Sequence, residues 1–208
     1  MTNPIPIHIA VEDFLSEMVL KVMLEQSGRC FAIGACFGHT GFGYLKKNIA
    51  GFNKAAKGTP FLMLADLDQT ECPPVLINEW LPVPKHNNLI FRVAVREVES
   101  WLLAHRKAFA GFLGIRESLV PSRPDELEDP KRVLIELTAG SRKRSLREAI
   151  IPARGSTAKI GPDYNGALIS FVQDRWKVQE AARQSPSLSR AFHTIKIFQP
   201  VYESESHG

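Results

Sequence analysis

The stretch "IPIHIAVEDFLSEMVLKVML", residues 5–24, decides the fold. Ile5, Ile7, Ile9 and Val11 alternate with other residues, the period of a β-strand. The run stops at Glu12. From Phe14 the apolar positions move to 14, 15, 18, 19, 22 and 23, the stripe of a helix that buries one face. Ser27 and Gly28 supply the chemistry that ends a helix. A strand handing directly to a helix is the first half of a βαβ unit. It also sets a chemical question, because a carboxylate stands at the strand's carboxyl end and a second acid, Glu17, follows five residues on.

The same alternation continues outward. "CFAIGACF" (30–37) reads as a short buried strand, followed by the glycine loop "GHTGFG" (38–43) and a helix over 44–56. "PFLMLADLDQ" (60–69) is a near-continuous apolar run, typical of a strand covered on both faces. "PPVLINEWL" (73–81) predicts a short helix with proline in its first turn. "NLIFRVAV" (88–95) predicts a strand, and "REVESWLLAHRKAFAGFLG" (96–114) a helix with Trp101, Leu102, Phe109, Phe112 and Leu113 on its core stripe. Strands alternating with helices predict an α/β fold, a mostly parallel sheet covered by helices on both faces.

After Gly114 the chain changes character. Residues 114–132 are polar and proline-punctuated, as in a linker or lid. Residues 133–200 read as a mainly helical C-terminal extension carrying a basic loop over 140–162, and 201–208 as a disordered tail. The α/β domain is therefore expected to span 1–113.

Net charge is +4 over 208 residues, a mild excess that suits an anionic partner. The three cysteines form no CxxC pair, which argues for reduced thiols over a disulfide frame or a zinc site. No basic region followed by an apolar leader opens the chain, and the longest uncharged stretch, 30–45, is too short for a membrane span. These features predict a cytoplasmic protein with no membrane association.

In an open parallel sheet, ligands bind in the crevice at the strands' carboxyl ends. Glu12, Asp66 with Asp68, and Glu97 with Glu99 all stand at or just beyond such an end, so three strands bring acids to one rim. Taken singly, each acid suits helix capping. Taken together they repel unless a cation joins them, and oxygen ligands without a His or Cys set favour Mg²⁺ or Mn²⁺. Asp66 and Asp68 share a face if the strand continues through both. Glu97 and Glu99 aim together only if the chain stays extended to residue 99, since helical positions two apart diverge by about 200°.

These segments carry a resemblance. "VEDFLSE" (11–17) resembles the Glu-Gly-x-x-Thr-Glu signature of Toprim-type proteins, and "ADLD" (65–68) their Asp-x-Asp. "REVESWLLA" (96–104) is similar to the Glu-x-Glu-x-Trp-Leu-Leu segment of small bacterial Toprim-like proteins, the RloB-like group and its relatives. The resemblance covers roughly residues 5–113. It implies a Toprim fold, metal-dependent phosphodiester chemistry and a setting in phage defence beside an ABC- or OLD-type ATPase. Glu12 carries over as acid/base or metal ligand, and Asp66 and Asp68 as metal ligands. The signature's glycine is Asp13 here and its threonine Ser16. Aspartate tolerates a left-handed turn better than most residues, but an added carboxylate there bears on catalysis.

Between 131 and 159 eight Lys and Arg face only Glu136 and Glu148. Such runs are ordinarily solvated surface, yet beside an acidic metal site they suit a phosphate backbone. Arg142, Lys143, Arg144, Arg147 and Arg154 are the candidate nucleic-acid contacts, and Lys159 a candidate transition-state cation. "GACFGHTGFG" (34–43) lacks the Lys-Ser/Thr of a Walker loop. His39, His86, His105 and His193 show no ligand spacing. The expected function is Mg²⁺- or Mn²⁺-dependent cleavage of DNA or RNA. The alternatives are a catalytically weak subunit that binds an ATPase or nucleic acid, and a phosphatase or nucleotidyl-transfer enzyme using the same acids.

Overall fold

The protein is described here by a computed structural model over residues 3–202. The chain divides into two compact units, 3–93 with 193–202, and 94–192. The change of character that the sequence shows after residue 113 lies within the second of these.

The first unit holds a four-stranded parallel sheet, so the α/β class follows from the alternation. Its strands are β1 (Ile5–Val11), β2 (Phe31–Gly38), β3 (Phe61–Asp66) and β4 (Leu89–Ala94), in the order β2-β1-β3-β4. Helices α1 (Phe14–Gln26), α2 (Phe42–Ala55) and α3 (Pro73–Trp80) form the connections. β1 and β2 are joined in one direction and β2 returns past β1 to β3. Right-handed crossovers then put α1 and α2 on opposite faces and leave the topological switch point between β1 and β3.

β3 is buried along almost its whole length, as its unbroken apolar run predicts. β2 is different. The sequence reads it as buried, but it is the sheet's edge strand, and Ala32 to Ala35 are exposed. A short apolar run cannot by itself tell an edge from a centre. The β1–β2 register shifts between Ile7 and Ile9, where His8 Nδ1 accepts the Ala35 N–H at 2.9 Å. Gly34 makes room for that ring, since a Cβ there would lie 2.6 Å from Nδ1. His8, Phe37, Phe52 and Phe61 then pack ring against ring.

Asp13 starts α1 by accepting the Ser16 N–H at 2.7 Å, and Gly28 (φ +74°) follows its end. At the far end of the unit Asn88 exchanges two hydrogen bonds with Val201, each 2.7 Å. The expected tail begins at that pinned residue, and its remainder from 203 lies outside the described residues.

In the second unit the single helix predicted over 96–114 is two, α4 (Glu99–Ala104) and α5 (Arg106–Leu113). They are separated at His105, whose ψ of 60° no α-helix accommodates. Gly114 closes α5 in the left-handed conformation. The segment 117–132 is tied down. Its Asp125 accepts hydrogen bonds from Ser185 Oγ at 2.6 Å and Ser187 N–H at 2.8 Å. α6 (Pro130–Ala139) follows, and the expected basic loop contains a helix, α7 (Arg144–Ile150). Beyond that loop the mainly helical extension holds α8 (Tyr164–Asp174), α9 (Val178–Ala182) and α10 (Pro186–Ile197), the last running on into the first unit. Two buried tryptophans knit the second unit together. Trp101 Nε1 donates to Ser187 Oγ at 2.7 Å, and Trp176 Nε1 donates to the Trp101 carbonyl at 3.1 Å. Among the described residues no helix is long and apolar enough to cross a membrane.

Candidate functional site

β1 delivers Glu12 to the switch point. Neighbouring Val11 is fully buried, so the strand's end is fixed and Glu12 emerges at the rim. One carboxylate oxygen, Oε1, accepts the Asp66 backbone N–H at 2.9 Å, joining the carboxyl ends of β1 and β3. The loop after β2 folds onto the same place. His39 N–H donates to the Val11 carbonyl at 3.3 Å, and Gly41 N–H donates to the Glu12 carbonyl at 3.0 Å. Gly38 permits this approach, because a Cβ there would sit 1.9 Å from the Val11 oxygen. Three strand ends are thereby held at one point.

Asp13 is extended (φ −149°), not left-handed, and its carboxylate caps α1. The residue in the place of the motif glycine is thus occupied with starting the helix. β3 stops at Asp66, and Asp68 lies beyond it in a tight turn closed by Thr70 N–H to the Leu67 carbonyl. Its φ of +48° is a conformation that aspartate tolerates. The shared strand face that alternation would give Asp66 and Asp68 does not form, and the turn directs Asp68.

Glu17, the second acid of the opening stretch, pairs with Lys21 at 2.6 Å and His39 at 2.5 Å. Burial pushes its carboxyl up, but hydrogen bonds from Lys21, Cys36 and His39 outweigh that and hold it below the usual range.

The second unit gathers the other two acids. Arg96 has φ +63° and α4 begins only at Glu99, so the chain turns sharply between strand and helix. Glu97 and Glu99 consequently meet at one cation. Lys131 Nζ lies 3.1 Å from Glu97 Oε1 and 3.5 Å from Glu99 Oε1, and the Lys131 N–H donates to Glu97 Oε2 at 2.9 Å. Tyr164 Oη donates to Glu99 Oε1 at 2.9 Å. Glu99 is 2% exposed and its Oε2 is buried without a hydrogen bond. Burial pushes its carboxyl up to about 7, with the Lys131 charge opposing and the Glu97 charge assisting the rise. Nothing local in the sequence announces Lys131 or Tyr164 as partners, because they lie 34 and 65 residues from the acids they meet.

The candidate phosphate contacts also belong to the second unit. Lys143 Nζ donates to the Phe112 carbonyl at 2.7 Å, Arg147 donates to the Ser141 carbonyl, and Arg144 pairs with Glu148 at 2.7 Å. Arg142, Arg154 and Lys159 are exposed.

Among the described residues no three of His, Cys, Asp and Glu gather closely enough to hold a metal ion by themselves. Mg²⁺, however, commonly takes one or two protein carboxylates and completes its octahedron with water and substrate phosphates. Glu12 and Asp66 are two carboxylate residues at adjoining strand ends, the number that such an ion takes. No family model, curated protein or solved structure matches the chain.

Proposed function

We propose that the protein is a Toprim-like, Mg²⁺- or Mn²⁺-dependent nuclease whose reaction centre lies at the junction of β1 and β3. One observation carries the reading: the Glu12 carboxylate and the Asp66 backbone meet at 2.9 Å at the switch point of a parallel sheet, where such sheets bind ligands. Glu12 and Asp66 are the residues that would hold the ion, with Asp68 on the following turn. A bound divalent ion supplies Lewis-acid polarisation of a phosphodiester and a more acidic water. The chain's own part is to fix the two strand ends, so that the carboxylates keep their place while a strand of nucleic acid binds. On the second unit, the exposed Arg142, Arg154 and Lys159 are the proposed contacts to backbone phosphates. A defence role beside an ABC- or OLD-type ATPase belongs to the same proposal.

The test is incubation of the full chain with labelled single- and double-stranded DNA and RNA in Mn²⁺. Cleavage that EDTA stops and Asp66→Asn lowers at least ~100-fold supports the proposal. Absence of cleavage, or cleavage indifferent to Asp66→Asn, refutes it.

A second reading has its own support. Glu12 already serves as a structural acceptor, and no carboxylate trio forms among the described residues. A subunit that binds nucleic acid or an ATPase without cutting would need no more. Retained binding in EDTA with no turnover identifies that case.

A further inference from the structure

The second unit contains an open cavity of about 670 Å³ that lies apart in sequence from the basic run at 131–159. Five cations line it, Arg106, Lys107, Arg175, Lys177 and Arg183, against two carboxylates, Glu117 and Glu180. That is an excess of three positive charges in one hollow, which concentrates anions within it.

The cavity's frame is fixed. Trp176 is 2% exposed and anchored through Nε1 to the Trp101 carbonyl. The residues on either side of it, Arg175 and Lys177, are exposed. Their backbone is held as well, the Arg175 N–H donating to the Phe171 carbonyl at 3.0 Å and the Lys177 N–H to His105 Nδ1 at 3.1 Å. With Nδ1 accepting, the neutral His105 ring carries its proton on Nε2 and is a donor there. Burial, ahead of the opposing Glu180 charge, keeps that ring from protonating as readily as usual.

The cations differ in how they are occupied. Arg106 donates to the Val120 and Glu117 carbonyls at 2.9 and 3.2 Å and so holds one wall. Arg183 pairs with Glu180 at 2.6 Å. Among the described residues Lys107, Arg175 and Lys177 have no carboxylate within ion-pair distance. Three exposed cations without a carboxylate partner are available to an anion that enters, to which they can donate charge-assisted hydrogen bonds.

We infer that this cavity binds a small soluble di- or triphosphate, recognised through its phosphates by Lys107, Arg175 and Lys177. Its volume falls in the range of about 300–1,000 Å³ of ligand pockets, which suits a compact ligand. No Phe, Tyr or Trp is among the described residues that line it, so it offers no platform on which bases of a nucleic-acid strand would stack. The site stands on the second unit alone and needs no metal.

The test is titration calorimetry of the full chain with inorganic triphosphate in EDTA, which keeps it independent of the nuclease reading. Wild type is expected to bind saturably, at one site. Arg175→Ala/Lys177→Ala should weaken binding about tenfold or more, with an unchanged circular dichroism spectrum. Glu117→Gln should tighten it severalfold by removing a repelling charge. Absence of saturable binding, or a folded double variant with wild-type affinity, overturns the inference. So does an oligothymidylate whose binding the double variant weakens while triphosphate fails to compete, since the cavity would then serve a strand's backbone.

Discussion

Removing the Glu12 carboxylate leaves the Asp66 N–H without its 2.9 Å acceptor at the partly buried end of two strands. Glu12→Ala should therefore destabilise the protein by about 1–3 kcal/mol, the cost of an unsatisfied donor. Glu12→Gln keeps an oxygen acceptor and should stay near wild type in urea unfolding, yet lose metal-dependent cleavage. That divergence between stability and activity separates a reacting group from a strut. Glu99 makes a second prediction at this scale. Its folded carboxyl titrates near 7 against an ordinary 4.5, mainly through burial. Between those values the folded protein still holds a proton that the unfolded chain has released, so stability falls as pH rises through the window, by on the order of 3 kcal/mol. Below about 4.5 the effect of Glu99 is constant. Glu99→Gln should flatten the slope in urea titrations run from pH 5 to 8. An unchanged slope would place the proton elsewhere.

At the scale of elements, the loop after β2 is what closes the site, and it does so because Gly38 has no side chain. A methyl group would meet the Val11 oxygen at 1.9 Å, and the residue's φ of +113° is itself unfavourable for any other amino acid. Gly38→Ala should cost at least about 2 kcal/mol and lower cleavage along with stability, measured by thermal unfolding and by turnover. The start of α1 is more tolerant. Asp13→Ala should cost about 1 kcal/mol as a lost cap, whereas Asp13→Gly should cost only a few tenths. The glycine variant also restores the motif residue and removes a carboxylate beside Glu12. Activity equal to or above wild type is the expected result.

At the scale of the whole molecule, the parts legible in the sequence are those with local causes. The period-2 run at 5–11, the helical stripe after it and the apolar run at 61–66 each report their own burial, and with their order they yield a parallel α/β sheet. That Glu12 and Asp66 stand at adjoining strand ends was legible for the same reason, since strand ends in such a sheet converge. What stayed hidden depends on distant partners. The edge position of β2 follows from the strand order, the break at His105 goes with a contact from Lys177, and the charge of Glu97 and Glu99 is met by Lys131. The basic cavity is assembled from residues 70 apart, so no charge run betrays it. Charge also supplies a prediction here. If Arg142 and Arg154 contact phosphates, replacing both with alanine should reduce the slope of log K against log salt for duplex DNA by about two. An unaltered slope would assign those side chains to plain surface.

The most direct test of the Glu12–Asp66 centre is a calorimetric Mn²⁺ titration in the presence of an uncleavable phosphorothioate strand, which supplies the phosphates a two-carboxylate site needs. Wild type is expected to bind Mn²⁺ at micromolar to millimolar concentration, with Asp66→Asn and Glu12→Gln each losing the site while remaining folded. Mn²⁺ affinity that survives both substitutions, or no strand-dependent binding in wild type, would contradict it.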